Sequence, residues 1–202
     1  MFIAFFLIFF YFFYMELLNK NDLRNFIKTV LPEDEEEKQI AADKINDKIM
    51  LSKHFKSASS ILSYMALPDE VSIYNADMRK KYIYIPKVNT VDTSMDFFRY
   101  TSELDTETGA YLIKEPTNEQ KFNINIFSGN ILVIVPGRAF TKDGKRLGRG
   151  KGYYDKYLNN LIKKYGKSYI TLMGVCYKEQ IVDDIPLDDH DILMDVVITD
   201  ED

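Results

Sequence analysis

The residues with the clearest chemical potential form a basic, glycine-rich loop that follows the most strongly predicted strand of the chain. Residues 131–135 are a continuous apolar run of mostly β-branched residues, typical of a buried strand. Downstream, residues 148–152 alternate glycine with Arg149 and Lys151, directly before a predicted helix at 153–164. Glycines let a backbone approach an anion closely, and a helix N-terminus attracts negative charge. The pattern therefore predicts a polyphosphate site.

Two common phosphate-binding motifs do not fit this loop. A Walker A loop would need glycine at position 145 and serine or threonine at 152, where the chain has Lys145 and Gly152. A dinucleotide fingerprint would need glycine at position 153, where the chain has Tyr153. From spacing alone, a flexible basic surface loop without a ligand also remains open.

Composition places the chain among ordinary globular proteins. Its 202 residues fit one domain, with 46% hydrophobic and 28% charged residues. The net charge of −5 argues against a nucleic-acid partner, so positive charge must act locally. A single cysteine, Cys176, excludes an internal disulfide framework and indicates a reducing compartment, and with two histidines a structural zinc site is not expected.

Residues 1–14 differ in composition from the rest of the chain. They are almost entirely apolar, yet lack the basic start and small-residue cleavage site of a signal peptide. The run is also shorter than a membrane-spanning helix of about 20 residues. We expect an N-terminal extension outside the fold, followed by a single domain at 15–202 in a cytoplasmic monomer. A membrane anchor and a translation start at Met15 remain alternatives.

Helical and strand periods alternate along the chain. Helices are predicted at 16–30, from Pro32 to about residue 54, at 71–80 and at 153–164. Strands are predicted at 60–65, at 82–85 with a stop at Pro86, and at 97–101, 131–135, 170–175 and 196–199, with loops over 105–127. The alternation predicts a three-layer, Rossmann-like α/β fold whose mainly parallel sheet has helices on both faces. Ligands of such folds bind at the carboxyl ends of strands.

The run RLGRGKGYYDKYL at 146–158, with PGRAF upstream, resembles the signature of the 5-formyltetrahydrofolate cyclo-ligase family. Three further segments match in the same order. They are the pair Lys20 and Arg24, Glu70 in SYMALPDEV, and the pair His190 and Asp191. The resemblance covers residues 16–202. It implies ATP-dependent conversion of 5-formyltetrahydrofolate into 5,10-methenyltetrahydrofolate, with release of ADP and phosphate.

The resemblance implies a role for each matching residue. It implies that ATP is bound by Lys20, Arg24, Arg146, Leu147, Gly148, Arg149, Gly150, Lys151, Gly152, Tyr153 and Tyr154. It assigns the folate to Met65, Glu70 and residues 149–153, catalysis to Arg149, Lys151 and Tyr153, and Mg²⁺ to Asp155 and Asp191.

Structural roles compete with several of these assignments. Lys20 and Arg24 lie one helical turn apart and would also form a solvated basic face. Glu70 would also cap a helix, Asp155 would also be a first-turn helix charge, and Tyr154 would also belong to the core. Near Asp191, the residues Asp188, Asp189 and Asp195 offer other carboxylates, and we expect His190 to orient its loop without acting as a base.

One residue departs from the family pattern. The family commonly has aspartate after the phenylalanine of PGxxF, and this chain has Thr141. Two other functions remain open: a relative that binds without closing the ring, and a phosphometabolite enzyme such as a sugar-phosphate isomerase, which would not need ATP.

Overall fold

The computed structural model describes residues 19–73, 81–123 and 129–201. The first helix, α1, spans Lys20–Val30, and the side chain of Asn19 caps it by accepting from two backbone N–H groups. Its buried residues Leu23 and Ile27 lie one turn apart and give the helix one apolar face. The predicted start at residue 16 lies outside the described residues.

The second helix starts later than its proline predicts and ends earlier. Helix α2 spans Glu35–Leu51, because the carboxylate of Asp34 accepts from the N–H groups of the first turn. Pro32 therefore precedes the helix instead of occupying its first position. Ser52 ends α2 and caps a separate short helix, α3 at Lys53–Ser57, so the predicted continuous helix to residue 54 is wrong.

The remaining elements follow in chain order. The strands are β1 Ala58–Leu62, β2 Tyr82–Asn89, β3 Ser94–Tyr100, β4 Thr106–Thr108, β5 Lys114–Pro116, β6 Asn130–Pro136, β7 Ala139–Phe140, β8 Arg146–Leu147, β9 Ile170–Val175 and β10 Val196–Ile198. Helix α4 spans Tyr153–Tyr165, between β8 and β9.

Six of these strands form one sheet in the order β10-β9-β6-β1-β2-β3. Every neighbouring pair is parallel except β2 and β3, which form an antiparallel hairpin at the edge. From β1 the chain adds strands outward in one direction, and from β6 it adds them in the other. The direction of winding therefore reverses between β1 and β6, where such folds open a ligand crevice at the carboxyl edge.

Helices cover both faces of the sheet, as predicted. Along β6, Leu132 and Ile134 pack in the cluster that contains α2 and α3, while Val133 and Val135 pack in the cluster that contains α4. Helix α1 belongs to a third cluster, with the β7–β8 ribbon and the segment around Val182. The predicted mainly parallel, three-layer α/β fold is confirmed.

Three local predictions need correction. Pro86 does not stop β2, because pairing between β1 and β2 ends at Tyr84 and beyond it β2 pairs only with β3; proline is tolerated where a strand has a neighbour on one side. Strand β1 ends at Leu62: the backbone N–H of Ser63 still donates to the carbonyl of Tyr84 in β2, but residues 63–65 are not part of the strand. Residues 71–73 are not helical, and residues 74–80 of the helix predicted there lie outside the described part.

Candidate active site

A cleft of about 650 Å³ lies at the carboxyl edge of the sheet. The loops that follow β1 and β6 both contribute to it, together with α1, the β4–β5 tip and the segment before β10. Every residue that the sequence analysis assigned to a site lines this cleft: Lys20, Arg24, Met65, Glu70, all ten residues from Arg146 to Asp155, and Asp191. The structure thus brings together residues that lie up to 171 positions apart.

The glycine-rich loop leads into the N-terminus of α4 through left-handed backbone. Gly150 has φ of 90° and Gly152, the residue before the helix, has φ of 71°; L-amino acids with side chains rarely adopt such conformations. The N-cap residue of α4 is Gly152, which has no side chain to accept from the first N–H groups of the helix. Apart from its chain neighbours, no atom of the described residues lies within 4 Å of a Cβ placed on Gly152. These features suit an anion bound against the backbone.

Two cations of the cleft have no carboxylate partner among the described residues. Lys151 is exposed and forms no ion pair there. The Arg24 guanidinium donates to the carbonyl of Gly148 at 2.8 Å and to Asn21 at 2.6 Å, but to no acidic group. It also lies 3.5 Å from the position of a Cβ on Gly150. Burial and the neighbouring charge of Arg138 lower the pKa of Arg24 from its usual value. Both cations therefore remain available to an anion at the glycine-rich loop.

Arg149, in contrast, is held by carboxylates from the loop after β1. Its Nε donates to Oε1 of Glu70 at 2.9 Å, and its Nη2 pairs with Asp69. Burial acts to lower the pKa of Arg149, but its hydrogen bond with Asp69 and the charge of Glu70 raise it overall. The side chain of Glu70 is only 8% exposed, and its other oxygen accepts from the backbone N–H of Leu67 at 3.1 Å. Within the described residues it caps no α-helix.

Asp155 and Asp191, the predicted Mg²⁺ ligands, each accept from a basic residue. Asp155 accepts from Nη2 of the buried Arg146 at 2.7 Å. Asp191 accepts from Lys20 at 2.5 Å, and Lys20 also reaches Asp188 at 2.7 Å. Burial acts to raise the pKa of Asp191, but hydrogen bonds from the backbone of Asp188 and from Lys20 lower it overall.

Among the described residues, one group of three side chains has ligand atoms close enough to share a metal ion. It consists of Asp188, His190 and Asp191, whose ligand atoms lie within 4.8 Å of one another, and it does not include Asp155. Carboxylate oxygens are the ligands that Mg²⁺ prefers. The predicted ligands Asp155 and Asp191 each keep one carboxylate oxygen, Oδ2 and Oδ1 respectively, without a hydrogen-bond partner in the described structure. Each residue therefore has an oxygen of the kind that Mg²⁺ prefers.

Arg146 differs from the other cations because its guanidinium lies beneath the loop. Its side chain is only 4% exposed, and Nη1 donates to the carbonyl of Pro136 at 3.2 Å. A Cβ on Gly148 would lie 3.0 Å from the same nitrogen. The guanidinium therefore supports both the loop and Asp155, and its Nε is buried without a partner among the described residues.

Part of the lining of the cleft is aromatic and aliphatic. The hydroxyl groups of Tyr153 and Tyr111 lie 3.3 Å apart, and Met65, Met95 and Ile113 line the same cleft. The hydrogen bond with Tyr111 and partial burial raise the pKa of Tyr153 to about 12, so its phenol stays neutral at physiological pH. This surface suits a flat heteroaromatic ring.

The sequence analysis missed Asp69 and Tyr111 and gave Asp188 no role of its own. Asp69 directly precedes Glu70, and a carboxylate beside a predicted site residue was an available signal. Tyr111 gave no usable signal, because residues 105–127 show no clear periodicity.

Thr141 does not line the cleft. Its side chain is buried in the β7–β8 turn, where the hydroxyl donates to Asp143 and accepts from the N–H of Lys145 at 2.9 Å. The departure from the family pattern is therefore accommodated within a turn. His190 lines the cleft, and Asn159 of α4 donates to its carbonyl at 3.1 Å, which fixes the loop.

The 5-formyltetrahydrofolate cyclo-ligase family profile matches residues 17–200. The chain belongs to this family. It is 30% identical over 162 residues to 5-formyltetrahydrofolate cyclo-ligase of Mus musculus, covering 76% of this chain and 79% of that one. A probable 5-formyltetrahydrofolate cyclo-ligase of Caenorhabditis elegans is 29% identical over 188 residues, covering 89% and 91%.

Solved structures of relatives have the same fold. The solution structure of Aquifex aeolicus 5,10-methenyltetrahydrofolate synthetase superposes with a TM-score of 0.73 at 29% identity, covering 91% of this chain and 90% of that one. The synthetase from Mycoplasma pneumoniae gives 0.69 at 26% identity, covering 91% and 100%. Within the described residues, no helix is long and apolar enough to cross a membrane.

Proposed function

We propose that this enzyme converts 5-formyltetrahydrofolate into 5,10-methenyltetrahydrofolate at the expense of ATP. The observation that carries the proposal is one cleft in which an uncapped helix N-terminus, a basic glycine-rich loop and an aromatic surface meet. Family membership supports the reaction, and the cleft has surfaces suited to the phosphates of ATP, to Mg²⁺ and to the folate ring.

The phosphates of ATP would lie against the glycine-rich loop and the start of α4. Arg24 and Lys151 would meet them directly, because neither pairs with a carboxylate in the part of the chain that the structure describes. Arginine can grip a phosphate through two N–H groups, whereas lysine acts as a point charge. Lys20 lies on the same face of α1 as Arg24, one turn away, and would contact phosphate from the side of Asp191.

Mg²⁺ would be held by Asp155 and Asp191, with phosphate oxygens and water completing its shell. When bound, the ion would neutralise charge on the phosphates during transfer. Arg146 orients Asp155 through one carboxylate oxygen and leaves the other for the ion. Such outer contacts are typical of ligand carboxylates in metal sites.

The folate would place its fused ring against Tyr153 and Met65, with Glu70 near the formyl group. The formyl oxygen would attack the terminal phosphorus of ATP, and ADP would leave. N10 would then attack the activated carbon and lose its proton, and phosphate would leave with the electrons of the carbon–oxygen bond. Arg149 and Lys151 would stabilise charge on the transferred group, since this chemistry depends chiefly on positioning and electrostatics.

Near-ultraviolet absorbance of the methenyl product tests the proposal directly. Wild-type protein is mixed with 5-formyltetrahydrofolate and Mg²⁺, with and without ATP, alongside Asp155→Asn. The amide keeps an oxygen for Arg146 but loses the charge for Mg²⁺. Asp96→Asn serves as the control, because Asp96 pairs with Lys121 outside the cleft.

We expect product only with ATP, a loss of at least about tenfold in Asp155→Asn, and wild-type rates in Asp96→Asn. Folded wild-type protein that binds ATP without forming product would instead indicate a non-catalytic relative. Product formed equally well without ATP would refute the proposed reaction.

We also propose that the enzyme is a cytoplasmic monomer whose fold excludes residues 1–14. One relative, from Arabidopsis thaliana, is named as mitochondrial, so location needs a direct test. Light scattering of the full chain would check the oligomeric state, cell fractionation would check the location, and the melting temperature of a chain that begins at Met15 would check whether residues 1–14 belong to the fold.

A further inference from the structure

We propose that Asp69 is a positioning residue that holds Arg149 in the cleft by linking it to the buried Arg138. The inference rests on the proposed function and assigns to Asp69 a part in the reaction. The structural basis is a chain of ion pairs, in which the carboxylate of Asp69 accepts from Arg138 on one side and from Arg149 on the other.

The inner end of this chain is fixed to the scaffold. The side chain of Arg138 is only 9% exposed. Its backbone N–H donates to the carbonyl of Leu147 at 2.6 Å, and its carbonyl accepts from Gln180, itself buried, at 3.1 Å. Arg138 therefore has little freedom to move, and a carboxylate bound to it is placed firmly.

The outer end of the chain lies on a loop with few other restraints. Arg149 sits between two glycines, and Gly150 has left-handed backbone. The side chain of Arg149 extends from the glycine-rich segment 148–152 to the loop after β1. There its guanidinium contacts Asp69 and Glu70. Without these two contacts, a solvated arginine between glycines would sample many positions.

The two carboxylates use different nitrogens of Arg149. Glu70 takes Nε and Asp69 takes Nη2, while Nη1 has no partner among the described residues. A guanidinium held on two nitrogens is fixed in orientation as well as in position, because its five N–H groups form a rigid planar fork. The remaining N–H groups are thereby presented to a ligand in the cleft that Arg149 lines.

Charge explains why one carboxylate serves both arginines. Burial acts to raise the pKa of Asp69, but the hydrogen bond and charge of Arg149, together with the charge of Arg138, hold it below its usual value. Asp69 is therefore an anion throughout the working range. As an anion it offsets the buried charge of Arg138 and still attracts Arg149.

Asp69→Asn is the primary test, with Asp96→Asn as the matched control. Asp96 has a similar exposure, 38% against 33%, and pairs with a lysine outside the cleft. The primary variant leaves Arg138 buried without a counter-charge, which threatens the fold itself. The double variant Asp69→Asn/Arg138→Met removes both charges and isolates positioning from stability.

We expect Asp69→Asn to lower kcat by roughly 10–100-fold, since small displacements of a reacting group are costly. The double variant should recover the wild-type melting temperature but keep the low kcat. In an Arg149→Gln background, Asp69→Asn should change kcat by less than about twofold, because a residue that acts through Arg149 has nothing left to position.

Recovery of wild-type kcat in the double variant would overturn the inference, because Asp69 would then be only a counter-ion for Arg138. An undiminished loss in the Arg149→Gln background would overturn it as well. The dissociation constant for ATP provides a second readout with the same contrasts. If the wild-type protein binds ATP but forms no product, the proposed function is refuted, and the ATP dissociation constants of the same variants then decide the role of Asp69. If the wild-type protein does not bind ATP, both the proposed function and the role of Asp69 are refuted.

Discussion

Replacing Gly152 by alanine should weaken ATP binding while leaving the protein folded. Gly152 is the residue before α4, and its φ of 71° and ψ of 10° lie in the left-handed region. An L-residue with a Cβ pays about 1–2 kcal/mol to adopt that conformation. A Cβ there would meet no atom within 4 Å, so the cost comes from the backbone and not from a collision.

The magnitude follows from where the strain is relieved. A loop that relaxes to a right-handed conformation tilts the first N–H groups of α4 away from the phosphates. Binding must then restore the strained backbone, so the affinity falls by the strain energy. Since 1.4 kcal/mol corresponds to a factor of ten, about 1–2 kcal/mol predicts a loss of roughly 5–30-fold in the dissociation constant for ATP.

Calorimetric titration with ATP at fixed Mg²⁺ measures this loss, and two variants control it. Gly152→Asn should bind better than the alanine variant, because asparagine tolerates left-handed backbone. Gly166→Ala places backbone strain in open space at the other end of α4, where φ is 80° and ψ is 154°, a conformation that is essentially restricted to glycine. It should lower the melting temperature and leave ATP affinity unchanged. Wild-type affinity in Gly152→Ala, or no advantage of asparagine over alanine, would refute the reasoning.

Two further predictions concern charge. Lys151→Ala should raise the KM for ATP by roughly 10–100-fold in steady-state assays, because a charge-assisted hydrogen bond contributes about 1.5–3 kcal/mol; Lys142→Ala, exposed in the β7–β8 turn outside the cleft, should stay close to wild type. Because the pKa of Asp69 is below its usual value, its ion pairs stabilise the fold above the unfolded-state value of about 3.9 and lose this effect as pH falls through the lower folded value. Urea unfolding midpoints should therefore fall less below about pH 4 in Asp69→Asn than in wild type, and equal declines would contradict the assignment.

The strands that form the centre of the sheet were predictable because they are buried on both faces. Residues 131–135 are continuously apolar and residues 170–175 are mostly apolar, and the observed β6 and β9 match them within a residue at each end. Where a strand pairs with a neighbour on one side only, the local sequence pattern did not predict where the strand ends. Pro86 reads as a stop in the sequence, but it lies where β2 needs no second neighbour.

The residues of the cleft were predictable as a set, but their contacts were not. The motif around Gly150 has a distinctive spacing, so its residues could be named from the sequence. The pairing of Arg149 with Asp69 and Glu70 joins segments about 80 positions apart. No periodicity encodes such a contact, because it depends on how β1 and β6 become neighbours in the sheet.

The ion pairs of the cleft bear on how the proposed substrates would bind. Lys20, which would meet phosphate, is paired with Asp191, which would meet Mg²⁺. Phosphate alone would draw Lys20 away and leave the largely buried carboxylate of Asp191 without a counter-charge, whereas Mg²⁺ alone would take Asp191 and leave Lys20 with its second partner, Asp188. The complex of Mg²⁺ with ATP would replace the Lys20–Asp191 pair by two contacts, one between Lys20 and phosphate and one between Asp191 and Mg²⁺. If the proposed function holds, local pairing of this kind would let an overall acidic protein select a metal-bound polyphosphate without a positive surface that would attract other polyanions.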